Sequence, residues 1–86
     1  MPRAISMRHT IVPSGDRAEF RERAGHAKTH YTRAGCQYWL FEESSLAGAY
    51  VEFFEADNVE SLRQAHRAAA DPLIESARMY VEVKLS

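Results

Sequence analysis

Ala49-Tyr50-Val51-Glu52-Phe53-Phe54-Glu55 reads as a β-strand, and what stands on either side of it decides the fold. Its residues are β-branched and aromatic, the types that fit a pleated, half-buried surface. Upstream, Ser44-Ser45-Leu46-Ala47-Gly48 has the small and polar composition of a hairpin connection, and Cys36–Glu42 is a second aromatic-rich strand. Downstream, Asp57-Asn58-Val59-Glu60 has the form of a capping box, an acceptor followed three residues later by Glu. A helix over about Asn58–Ala70 follows, with Val59, Leu62, His66 and Ala69 on one face.

The rest of the chain extends this strand–hairpin–strand–helix core. Ala4–Val12 alternates with period two and predicts a first strand. Pro13-Ser14-Gly15-Asp16 breaks it, and Ser14 or Asp16 is expected to cap a helix over Asp16–Arg33. Phe20, Ala24, Ala27 and Tyr31 form its apolar stripe, and Gly35 lies where a left-handed C-cap belongs. Pro72 stops the second helix, Leu73–Ala77 suits a further short turn, and Arg78–Lys84 predicts a last strand. The order is β-α-β-β-α-β, one domain over residues 1–86 of the α+β, ferredoxin-like class. Right-handed crossovers give an antiparallel sheet in the order 4-1-3-2 with both helices on one face.

Parity assigns the faces. Met7, His9, Ile11, Val51, Phe53, Val81 and Val83 are expected under the helices. Arg8, Tyr50, Glu52, Phe54, Tyr80 and Glu82 are expected on the open face, where Arg8 would sit between Glu52 and Glu82. Both parities of the second strand carry large apolar groups, so either Trp39 or Tyr38 and Leu40 can face inward. An aromatic but charged open face suits a half-wet homodimer interface.

Composition narrows the classes. A chain of 86 residues builds a marginal core, and the lone Cys36 excludes an internal disulfide or a four-cysteine zinc site. Oligomerisation is the remaining support. Lys and Arg total 11 against 12 Asp and Glu, a balance that does not favour nucleic acid. No run of about 18 apolar residues suggests a membrane span. A single thiol and a first segment without an apolar core lead us to expect a cytoplasmic location.

The stretch from Tyr50 to His66, a strand carrying a Glu and aromatics that runs through an acidic turn into a helix with Leu62 and then His66, resembles the antibiotic biosynthesis monooxygenase-like family. The first strand, Pro13-Ser14-Gly15, the long helix ending near Ala34-Gly35-Cys36 and the aromatic strand are similar to the family's layout, so the resemblance covers nearly the whole chain. It implies a dimeric α/β barrel, with a pocket between helices and sheet. Its cofactor-independent members oxidise polyphenolic molecules. Its haem-degrading relatives use an Asn on the first strand, a Trp, and a late His. Here the first strand has no Asn, the Trp position looks like Phe54, and the late region holds Leu73-Ile74-Glu75. His66 matches the family's early-helix His. The resemblance thus implies a monooxygenase-like enzyme with no tightly bound cofactor and no metal.

Parity and helical spacing aim His9 and His66 into one space between the layers. Two readings of that pair stand side by side. Either they form the catalytic base of a pocket, since imidazole titrates near neutral pH, or they are buried groups satisfied by protein partners. Trp39, Tyr31, Phe53 and Met7 are the expected lining of a small-molecule site. The alternative function is a non-catalytic ligand-binding or structural dimer. His26 and His30 share a helix face but lack an evident third metal ligand, and Cys36 reads as a small buried hydrophobe.

Overall fold

The structure, a computed structural model, describes residues 2–69 and 78–85. Strand β1 spans Ala4–Ile11, helix α1 Arg17–Arg33, β2 Gln37–Glu42, β3 Ala49–Ala56, α2 Val59–Arg67 and β4 Met79–Val81. The strands form one antiparallel sheet in the order β2-β3-β1-β4, the order expected from the sequence. The turn expected at Leu73–Ala77 lies outside the described residues.

Local chemistry explains the element ends. Ser14–Asp16 forms a short 3₁₀ turn, and neither Ser14 nor Asp16 caps α1 through its side chain, contrary to expectation. The turn already directs the chain into the helix, with the Asp16 amide donating to the Pro13 carbonyl at 2.9 Å. At the other end Gly35 takes a φ of 80°, and the Cys36 amide reaches back to the Tyr31 carbonyl at 2.8 Å. That is the left-handed helix exit its position suggested. Helix α2 is capped by Asn58, whose side chain accepts from the Ser61 amide at 2.8 Å. The cap therefore falls one residue later than a box opening at Asp57 would place it.

Register fixes the two faces of the sheet. Arg8 pairs with Glu52, Ser6 with Phe54, and Tyr38 with Phe54. Met79 and Val81 lie opposite Ser6 and Ala4. These residues share the side on which Tyr38, Tyr50, Glu52 and Phe54 are buried. The core on this side joins Tyr31 and Ala24 of α1 and Leu62 and Ala65 of α2 to Ala4, Tyr38, Phe54 and Ala56 of the sheet. A second cluster of Val12, Phe20 and Tyr50 closes the hairpin end, with Leu40 touching both.

The sides of β1 and β3 are thus the reverse of the sequence expectation, whereas Val81 and Tyr80 of β4 lie on the sides expected. Met7, His9, Ile11, Val51 and Phe53 face away from the helices; Arg8, Tyr50, Glu52 and Phe54 lie beneath them. The second strand follows suit, with Tyr38 and Leu40 inward and Trp39 outward. The physical reason is one of size. Helix α2 crosses β1 and β3 closely, and the small Ala4 and Ser6 make room for it, while the rings of Tyr38, Tyr50 and Phe54 fill the remaining depth. Alternation alone does not say which of two semi-apolar faces is covered.

Candidate active site

The polar centre of the helix–sheet layer is His66. It lies one turn after Leu62 on α2 and is 1% exposed. Ser6 Oγ lies 2.7 Å from its Nε2, and Tyr31 Oη lies 2.7 Å from its Nδ1. A neutral imidazole has one donor and one acceptor nitrogen, and two hydroxyls can serve either tautomer. The ring is set edge-on against Tyr31 and Phe54, at centroid distances of 5.5 and 5.0 Å. Burial, then the nearby positive charge of Arg8 and the neighbouring His30, lower the His66 pKa to about 4. His66 is therefore neutral across the physiological range.

A second polar group adjoins it through stacked rings. The Tyr38 hydroxyl donates to Glu52 Oε2 at 2.6 Å, and Arg8 Nε donates to Glu52 Oε1 at 2.8 Å. Glu52 is 2% exposed, so its carboxylate relies on these donors rather than on water. Burial, with the hydrogen bond to Glu52 next, drives the Tyr38 phenol well above its ordinary pKa. The Tyr31 and Tyr38 rings are nearly parallel, 6.0 Å apart, and Phe54 packs against both. His30 ties the helices together, its Nε2–H donating to the Ala65 carbonyl at 2.8 Å.

Of the residues singled out by sequence, His66 and Tyr31 meet here. His9, Trp39, Phe53 and Met7 do not; they lie on the far face, for the reason given above. No shared His9–His66 pocket exists, because the sheet separates them. Arg8 does meet Glu52, its register partner, but under the helices. The expected partnership with Glu82 belongs instead to Arg3, which bonds Glu82 at 2.9 Å and Glu55 at 3.2 Å. Ser6, Tyr38 and Glu52 were not foreseen as site residues. Their signal was a single carboxylate set among Tyr50, Phe54 and Tyr38, a group that must find donors if those rings are buried.

Fold and register together define an α+β protein of the ferredoxin-like class whose helices bury a histidine-centred polar network against one sheet face. Solved structures share that architecture. Rv0793 from Mycobacterium tuberculosis superposes with a TM-score of 0.72 at 16% identity, covering 100% of this chain and 97% of its own. A conserved protein of unknown function from Bacteroides thetaiotaomicron, described as a possible oxidoreductase, gives 0.69 at 20% identity, covering 94% and 93%. SnoaB, a cofactor-independent oxygenase from Streptomyces nogalater, gives 0.67 at 14% identity, covering 99% and 92%. At such identities the likeness is one of fold. No protein-family profile matches the sequence, and no curated protein matches it.

Proposed function

We propose that the chain is a monooxygenase-like enzyme of the cofactor-independent kind, acting on a small planar aromatic molecule between helices and sheet. The observation that carries this is His66: a neutral imidazole, both of whose nitrogens meet hydroxyls, in a layer walled by Tyr31, Tyr38 and Phe54. A substrate hydroxyl taking the place of the Ser6 or Tyr31 hydroxyl would stand within hydrogen-bond reach of a proton acceptor. In the step, the substrate O–H bond breaks, the proton goes to a ring nitrogen, and the electron pair stays on the substrate oxygen. The resulting anion is electron-rich enough to react with dioxygen, the oxidant of this class. A base whose pKa lies at about 4 suits only an acidic hydroxyl, such as a phenol conjugated to a carbonyl. The likeness to a cofactor-independent oxygenase supports the reading.

The test is oxygen uptake with product mass spectrometry on a panel of hydroxylated aromatic ketones. Turnover by the parent and a loss of about 10²–10⁴ in kcat/KM for His66→Gln are expected. Unchanged turnover in that variant removes His66 as the base. A second reading is a non-catalytic ligand-binding or structural module. It is favoured by the fact that, among the described residues, every buried side-chain nitrogen and oxygen has a partner. It predicts saturable binding with no new product.

We infer further that the active unit is a homodimer joined through the open sheet face. Rows of apolar side chains cross that face: Trp39–Phe53–Met7 and Phe41–Val51–His9, with Ile5 and Tyr80 beside them. Trp39 is 39% exposed, Phe41 53% and Ile11 73%. At ~3.3 Å per residue and ~4.8 Å between strands, the face spans on the order of 500 Å². Two such faces bury on the order of 1,000 Å², above most incidental contacts and at the lower bound of a biological interface.

A further inference from the structure

The open face contains one imidazole, and its position gives it a use that the buried site does not. His9 stands in the row Phe41–Val51–His9, on the same side as Met7 and Ile11 along its own strand. Strand β4 pairs only with Ala4–Ser6 and stops short of it. The groups facing His9 from β3 are Ala49, Val51 and Phe53; beyond them on β2 are Trp39 and Phe41 and, opposite Ala49, Glu43, whose carboxylate accepts from the Ser45 hydroxyl at 3.1 Å. Arg3 bonds Glu55 and Glu82 at the other end of this face, and Arg78, just before β4, continues its register beside Met7. Arg3 lies six positions before His9, roughly 20 Å along an extended strand. Among the described residues, each carboxylate of this face already has a partner, Ser45 for Glu43 and Arg3 for Glu55 and Glu82, and none of them bonds His9.

We propose that pairing of two copies through this face is controlled by protonation of His9, the dimer forming when the imidazole is neutral and separating when it is charged. The inference rests on the homodimer proposed above. An imidazolium in water is well solvated; sealed among Phe41, Val51 and Met7 it loses that solvation without gaining a counter-ion. The dimer therefore binds fewer protons than two free chains, and acidification shifts the balance to free chains. Each dimer seals two copies of His9. Two protons per dimer are excluded on full sealing, so Kd rises by at most about 100-fold for each pH unit over which the free chains bind them. Arg3 holds Glu82 below the usual carboxylate range, first by its hydrogen bond and then by its charge. That carboxylate stays ionised over the range in which imidazole titrates and does not contribute to the response.

Sedimentation equilibrium of the full chain from pH 8.0 to 5.5 tests this, alongside His9→Gln and His9→Lys. Circular dichroism at each pH confirms that the chains remain folded. The parent should dissociate with a Kd that rises by up to about 100-fold per pH unit as pH falls. His9→Gln should pair with a flat profile, and His9→Lys should pair weakly at every pH. A parent that pairs equally at pH 8.0 and 5.5, or a His9→Gln profile as steep as the parent's, overturns the switch and leaves the dimer standing. A parent that stays monomeric at pH 8.0 overturns both.

Discussion

A histidine buried as a neutral ring ties stability to pH. His66 titrates at about 4 in the folded chain, against 6.5 for an ordinary imidazole, so the unfolded chain binds its proton first on acidification. Its contribution is complete above pH 6.5 and is lost as pH falls towards 4. The loss is on the order of 3 kcal/mol. Urea titrations at a series of pH values should show it, and His66→Gln should flatten the profile in that window. Glu52 makes the complementary case. Arg8→Met leaves a buried carboxylate with the Tyr38 hydroxyl but without the Arg8 bond, an expected loss of about 3–5 kcal/mol by urea denaturation. Tyr38→Phe removes one donor and keeps Arg8, and should cost about 1–3 kcal/mol. The Arg8–Glu52 partnership was legible in the sequence, because strand order and register follow from element lengths. That Tyr38 joins it was not, because alternation alone does not decide which parity of Cys36–Glu42 faces the helices.

At the scale of elements, each strand and helix was legible within a residue or two, save that α2 ends at Arg67 rather than near Ala70 and the last strand is shorter than its pattern. Arg78–Lys84 alternates throughout, but regular pairing covers Met79–Val81, because β1 begins only at Ala4. The faces were misread for a related reason. Ile5, Met7, His9 and Ile11 are more apolar than Ala4, Ser6, Arg8 and Thr10, and a chain read alone assigns the more apolar set to its own core. A chain that shares a face with a partner, as proposed above, would reverse that rule. The hairpin offers a test of local determinants. Gly48 has a φ of 88°, and a Cβ there would stand 2.6 Å from the Val12 carbonyl oxygen. Arg17 occupies the same space, donating to the Val12 and Ala47 carbonyls. Gly48→Ala combines left-handed strain with displacement of that clamp, and should cost about 1–3 kcal/mol in denaturant midpoint analysis. Asn58→Ala, which deletes the α2 cap, should cost about 1 kcal/mol and loosen the segment that holds His66.

For the whole molecule, the inner face is complete while the outer one is not. The helices cover a network whose described buried polar atoms are all partnered, and the opposite face leaves Trp39, Phe41 and Ile11 in contact with water. A chain this small gains proportionally little from its own core, so burying that face against a second copy would add substantially to its stability. Pairing then links stability to concentration: the melting temperature should rise with protein concentration, as for any folded state stabilised by association. Phe41→Lys places a charge on the edge strand of the face, opposite Val51 and beside Phe53, without touching the helix side. It should yield a monomer by sedimentation, with the concentration dependence abolished and the far-ultraviolet spectrum retained. A Phe41→Lys chain that sediments and melts like the parent places any self-association elsewhere, and the apolar face then requires a different occupant.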